Sequence, residues 1–263
     1  MTDRARWEAA QSYERKYWES RARQIETGAT SQLEWYKWRA DQLQERLRRA
    51  GRADLCDGAA RVIEVGSGPV GLATFFPASR AVLVDPLHDF YGSSPTLSGL
   101  RNPRAEYLTG RGEALPVEDA AFDLVIIENC IDHCQDMEGV LRELVRVLAP
   151  TGLLYLTVNC RSAGGYYVHR ALSRLRIDAG HPHTFTPARL VALLGRYGFR
   201  VTDQELGSFA AAWKDDLASA SAASKVKALL GVSEYLASVL AVRAGAPAAS
   251  ASSGGARPTV AAR

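Results

Sequence analysis

From residue 61 onward, short apolar runs alternate with stretches of helical period. The runs at 62–65, 81–84, 105–108, 122–127 and 153–158 are apolar at both alternating positions, the pattern of strands buried on both faces of a sheet. Between the last two, Val140, Leu141, Leu144, Val145 and Leu148 recur at a 3.6 period; this predicts a helix over 137–148, stopped by Pro150 and Gly152. Thr186-Pro187 followed by Leu190, Leu193 and Leu194 reads as a capped helix with Pro in its first turn, closing at Gly198. Two further strands, 199–206 and 235–242, flank a helical stretch at 212–230. Such alternation is that of a parallel sheet with helices on both faces.

The N-terminal part differs. Leu33, Trp35, Tyr36, Leu43 and Leu47 recur roughly at helical spacing, and the region holds Trp7, Trp18, Trp35 and Trp38 among many charges. Two helices are expected there, ending near Gly51. The organisation read from the pattern is a helical cap or arm over 1–52, an α/β domain over 53–243, and a tail over 244–263 of Ala, Ser, Gly and Pro without apolar periodicity, expected to be disordered.

Composition narrows the classes. The 263 residues are 47% hydrophobic and 23% charged, an ordinary globular balance. A formal charge of +3 is too small to imply a phosphate-tracking surface, so nucleic acid is not an expected partner. Cys56, Cys130, Cys134 and Cys160 show no paired framework, which suits reduced thiols and a cytoplasmic location. The N-terminus lacks the apolar run of a signal peptide. The apolar stretch at 228–242 is broken by Ser233 and Glu234 and is too short for a membrane span, so no membrane partner is expected.

The main chemical signal is Val62-Ile63-Glu64-Val65-Gly66-Ser67-Gly68-Pro69-Val70-Gly71. It reads as a strand, a glycine turn and a following helix, in which Gly66, Gly68 and Gly71 let a ligand approach the backbone and the helix offers free N–H groups. Asp85 lies about 20 residues on, the spacing of a carboxylate that bonds ribose hydroxyls. Dinucleotide and S-adenosylmethionine sites share these features, and Glu64 discriminates: a carboxylate beside the loop repels a pyrophosphate and attracts an ammonium group. The alternative is that Glu64 only bonds neighbouring backbone.

With these residues in order, the chain resembles the class I S-adenosylmethionine-dependent methyltransferases, type 11 family, over roughly 55–205. Ile63-Glu64-Val65-Gly66-Ser67-Gly68 is similar to the family's first motif, and Val82-Leu83-Val84-Asp85 to its second strand with the ribose-binding acid. Gly112-Glu113-Ala114-Leu115-Pro116 followed by Ala121-Phe122-Asp123-Leu124-Val125 resembles the adenine-side loop and fourth strand, and Arg146-Val147-Leu148-Ala149-Pro150-Thr151-Gly152 the exit into the fifth. The resemblance implies a Rossmann-like sheet of order 3-2-1-4-5-7-6 with one antiparallel strand near the edge. It implies S-adenosyl-L-methionine as cofactor, held by Glu64, Gly66, Ser67, Gly68, Gly71, Asp85, Pro86, Gly112, Glu113, Ala114, Glu128 and Asn129. Arg111 departs from the pattern, standing where many relatives carry an acid that contacts adenine.

An activated methyl needs an aligned acceptor and exclusion of water, and a hydroxyl acceptor also benefits from a base. Candidates follow the fourth strand in Glu128-Asn129-Cys130-Ile131-Asp132-His133-Cys134, at the carboxyl end where open α/β sheets bind ligands. His133 is the candidate base, with Asp132 beside it and His183 approaching from Gly180-His181-Pro182-His183-Thr184; packing or capping explains His133 equally well, and of His181 and His183 one is expected to face the pocket and the other to serve the loop. His181 and His183 lack a third ligand at recognisable spacing, so no metal is expected. Asn159, Tyr166, Tyr167 and His169 add to the same rim, and Trp35 and Trp38 either roof the pocket or anchor the arm. The expected activity is methyl transfer, by preference to oxygen, onto a small-molecule or glycan-type acceptor. A nicotinamide-dependent oxidoreductase, a non-catalytic cofactor-binding interaction protein and an RNA methyltransferase are the alternatives.

Overall fold

The computed structural model describes residues 3–29, 31–174 and 183–245. His181 and the tail from residue 246 lie outside them. Among the described residues are the strands β1 (Arg61–Val65), β2 (Arg80–Asp85), β3 (Glu106–Thr109), β4 (Phe122–Glu128), β5 (Leu148–Cys160), β6 (Phe199–Leu206) and β7 (Tyr235–Arg243). The helices are α1 (Asp3–Glu26), α2 (Gln32–Arg49), α3 (His88–Ser93), α4 (Pro95–Ser98), α5 (Met137–Val147), α6 (Ala163–Arg174), α7 (Pro187–Arg196), α8 (Phe209–Ala218) and α9 (Ala222–Leu229). The strands form one seven-stranded sheet of order β3-β2-β1-β4-β5-β7-β6, the Rossmann-like α/β order implied by the first motifs. β1 to β5 are parallel, while β7 runs against both β5 and β6.

Alternation along the central strands divides the core between two faces. Ile63, Val65, Val125, Ile127, Leu154 and Leu156 face α5 and α7, meeting Val140, Leu141, Leu144, Leu190 and Leu194. Val62, Leu83, Leu124, Ile126, Leu153 and Tyr155 face the other way, toward α2. There Tyr36, Ala40, Leu43 and Leu47 form the buried stripe, spaced by three or four residues as a packed helix face requires. Each of the two leucines contributes roughly 1.5–3 kcal/mol by leaving water. Arg46, buried on the same helix, donates to Asp203 at 2.6 Å, to the Ser238 carbonyl at 3.2 Å and to the Ser238 hydroxyl.

Three local expectations need correction. No α-helix follows the glycine loop: a four-residue 3-10 turn, Leu72–Phe75, takes its place. Pro77 disfavours helical geometry at the residue before it, and Phe76 is extended, at φ −84° and ψ 138°. α2 covers that turn instead, with Gln44 Nε2 donating to the Phe75 carbonyl at 3.3 Å. Second, the run at 105–108 is not a central strand, because β3 forms the sheet edge and has no buried residue. Third, α5 ends at Val147 rather than 148, since Leu148 pairs with Phe122 and opens β5. The helical stretch at 212–230 is two helices, α8 and α9, the second capped by Ser221. No helix among the described residues is long and apolar enough to cross a membrane.

If α2 is part of the core, Leu47→Ala lowers the unfolding free energy in urea by about 2–5 kcal/mol. Trp38→Ala, on the exposed side of the same helix, changes it by no more than about 0.5 kcal/mol. Equal costs for the two contradict the packing described.

Candidate functional site

A cavity of about 720 Å³ opens at the carboxyl ends of β2, β1, β4 and β5 and is roofed by α1 and α2. Its floor is the glycine turn. Gly66, Gly68 and Gly71 have φ of 72°, 61° and 78°, a region side chains rarely adopt. A methyl group at Gly66 would overlap the Cys130 thiol, and one at Gly71 would overlap Leu83 and crowd Glu64. The turn is thus closed by contact from both sides.

Buried carboxylates surround the turn. Glu64, on β1, is 2% exposed and accepts from the Ala73 N–H at 2.8 Å. Burial pushes its pKa up to about 8, against the pull of the Ala73 and Leu72 N–H groups; Glu128 and Asp85 add repulsion. Asp85, ending β2, accepts from Leu87 N at 2.8 Å and Gly68 N at 3.0 Å. Burial raises it to about 6 against those two bonds. Glu128, ending β4, is raised by burial and drawn down by Arg39. Arg39 reaches it from α2 with Nε at 2.7 Å and also with Nη2, which in turn lies 3.2 Å from Tyr155 Oη. Tyr36 sits among the three acids, its hydroxyl pKa raised by burial and by their charges.

The remaining expected residues divide. Gly66, Ser67, Gly68, Pro86, Asn129, Cys130, His133 and Asn159 line the cavity with Glu64, Asp85 and Glu128. Asn129 has φ 47° and donates its N–H to Thr157 O and Oγ1, each at 3.0 Å. Ser67 Oγ lies 3.2 Å from His88 Nε2, whose pKa is lowered to about 4 by burial and by Arg101. Gly71, Gly112, Glu113 and Ala114 do not line the cavity. Glu113 Oε1 instead accepts from Gln135 N at 2.9 Å and Asp136 N at 3.1 Å, tying the β3–β4 connection to the loop before α5. Beside it the Arg111 guanidinium lies 4.2 Å from the Trp7 ring centroid, so α1 covers the flank where the adenine-side loop was expected.

Of the three candidate catalytic residues, His133 alone lines the cavity. It ends the 3-10 turn Ile131–His133, with Nε2 3.8 Å from Asp132 Oδ2. Asp132 is buried beneath it and has an Oδ1 without a hydrogen-bond partner. His183 turns to the loop, its Nε2 3.0 Å from the Cys134 carbonyl; its place in the chain suited the pocket, but this bond fixes it as a loop residue. Tyr166, Tyr167 and His169 likewise lie off the cavity. The roof holds residues the sequence did not single out as site residues, above all Arg39 and Tyr36. Their helical spacing with Trp35 and Trp38 was visible, but the face turned toward β4 was not.

Residues 63–156 match the methyltransferase-domain family of type 11. That match covers about a third of the chain and contains the glycine turn, Asp85 and Glu128. It is 30% identical over 99 residues to an uncharacterized methyltransferase of Mycobacteroides abscessus, covering 36% of this chain and 38% of that protein. Over 149 residues it is 28% identical to the malonyl-[acyl-carrier protein] O-methyltransferase of Salmonella typhimurium, covering 54% and 56%. The matches therefore span little more than half of the longer-matched of these two relatives and less of the other. The class I methyltransferase fold is shared with the 1,6-didemethyltoxoflavin-N1-methyltransferase of Burkholderia thailandensis, solved with that compound and S-adenosylhomocysteine. The likeness has a TM-score of 0.54 at 17% identity, over 89% of this chain and 88% of that one.

The buried acids give this protein a pH signature. Folded, Glu64 keeps its proton to about pH 8; unfolded, it loses it near the ordinary 4.5. The folded state therefore binds more protons in between, and stability falls as pH rises. His88, lowered from 6.5 to about 4, acts with the opposite sign below 6.5, which leaves the window from 6.5 to about 8 to Glu64. Urea midpoints are expected to fall across that window, and Glu64→Gln to flatten the fall. A wild-type midpoint that rises there contradicts the burial described.

Proposed function

We propose that the chain transfers a methyl group from S-adenosyl-L-methionine to an oxygen of a small-molecule or glycan-type acceptor. The observation that carries this reading is the group of buried carboxylates, Glu64, Asp85 and Glu128, around a glycine turn, all with raised pKa. Such a site gains most from a cationic ligand, which relieves both desolvation and mutual repulsion. A pyrophosphate fits poorly: no α-helix N-terminus follows the turn, and Arg39 is already held by Glu128. That weighs against the nicotinamide alternative.

In this reading Gly66, Ser67 and Gly68 let the donor lie against the turn, and Asp85 with Pro86 receives its ribose hydroxyls. Glu64 and Glu128 favour its positive charge, and Asn129 lies alongside. When bound, the donor supplies a methyl already activated by its sulfonium. His133 takes the proton from the acceptor hydroxyl as the oxygen attacks, while Asp132, 3.8 Å from Nε2, favours the resulting imidazolium. Asp132 acts through His133 and is a positioning residue. The α1–α2 roof excludes water from the transfer. Gly112, Glu113 and Ala114 enter only as support, through the loop before α5.

The test combines calorimetry with turnover. S-adenosylhomocysteine is expected to bind with micromolar affinity and NAD not at all. His133→Ala is expected to leave that affinity within about twofold while lowering turnover of an accepted hydroxyl compound by about 10²-fold or more. No binding of S-adenosylhomocysteine sinks the donor assignment; unchanged turnover in the variant sinks the role of His133.

A further inference from the structure

The cavity carries information about the acceptor as well as the donor. Large aromatic side chains seldom stay exposed without a partner, since each forgoes the gain of burial. Yet Tyr13, Tyr17, Trp35 and Trp38 line this cavity at 70%, 44%, 47% and 53% exposure. Two of them are braced by buried chain neighbours: Tyr17 meets Trp18 edge-on with centroids 5.4 Å apart, and Trp35 meets Tyr36 at 5.1 Å and 81°, while Trp38 has the Arg39 guanidinium 5.8 Å from its ring centroid. Trp18 is fixed further by Nε1 donating to Glu14 at 2.9 Å. The mouth is an aromatic frame, braced at Tyr17 and Trp35, whose side chains are still largely exposed.

Charge restricts what can enter that frame. Among the described residues lining the cavity, the acids are Glu14, Glu64, Asp85 and Glu128, against one guanidinium, Arg39, and the acids outnumber it even while Glu64 keeps its proton. Arg39 is engaged by Glu128 and by Tyr155 Oη, so a negatively charged acceptor would meet net negative potential with no uncommitted guanidinium or ammonium in the lining. Beyond Glu128, on the side away from Asp85, the lining is Thr157 and Asn159 of β5 and Leu236 of β7: polar but uncharged groups beside an apolar one. His133 is the base on that side.

We infer that the acceptor is an aromatic molecule carrying no negative charge, stacked on Trp35 and Trp38 at the mouth with its reacting group toward His133. This deepens the proposed function and rests on it for the word acceptor. It sets aside carboxylate and phosphate acceptors and favours an aromatic over a purely glycan one.

The test uses three indoles of similar size: indole-3-ethanol (uncharged), tryptamine (cationic) and indole-3-propionate (anionic). Each is titrated calorimetrically into the protein with and without saturating S-adenosylhomocysteine. The first two are expected to bind at least about tenfold more tightly than the third. Trp35→Ala and Trp38→Ala are expected to weaken the uncharged probe by about threefold or more. Both side chains are half exposed, and a urea transition checks that the variants remain folded. Binding of indole-3-propionate as tight as that of indole-3-ethanol overturns the inference, as does binding of the uncharged probe that ignores both tryptophans. So does a methyl glucoside binding more tightly than any indole. Failure of S-adenosylhomocysteine to bind would instead overturn the donor assignment, while the protein without it still reports the charge preference of the mouth.

Discussion

Three carboxylates kept from water at the ends of β1, β2 and β4 govern this molecule. Isolated, each would be costly, and together they repel. The fold holds them by giving two of them backbone N–H donors, Ala73 to Glu64 and Gly68 and Leu87 to Asp85. The third receives a guanidinium from another element, Arg39 on α2. What remains uncompensated is what a cation can satisfy. The same arrangement therefore limits stability and prepares the site.

α2 joins these roles. Its buried stripe of Tyr36, Ala40, Leu43 and Leu47 packs on the sheet where no helix follows the glycine turn. Its other faces bring Arg39 to Glu128 and set Trp35 and Trp38 at the cavity mouth. Arg46, farther along, links the helix to β6 and β7 through Asp203 and Ser238. A helix outside the glycine motif thus serves as core, counter-ion and roof.

The sheet was readable because its central strands are buried on both faces, which leaves continuous runs such as Val62 to Val65 and Leu124 to Ile127. β3 read the same way yet lies at the edge, since a short apolar run does not reveal which neighbours it has. The turn after Gly71 was read as a helix from its motif, although Pro77 disfavours helical geometry at Phe76. Glu64, Gly66, Gly68, Asp85, Glu128, Asn129 and His133, which the motif order singled out, line the cavity at or just beyond the carboxyl ends of β1, β2 and β4. The bond between Arg39 and Glu128 crosses 89 residues, and nothing local encodes it. Glu113 was found by pattern but turns to the backbone of Gln135 and Asp136, a choice made by the loop before α5 rather than by its own neighbours.

The central claim is that buried, partly protonated carboxylates await a cationic donor. It is tested most directly by counting protons as S-adenosyl-L-methionine binds, using calorimetry at about pH 7 in buffers of different ionisation enthalpy. Because Glu64 rests near a pKa of about 8 in the unliganded protein, binding a cation beside it is predicted to release close to one proton, and Glu64→Gln to abolish most of that release. Binding with no proton released, or with net proton uptake, would contradict the account.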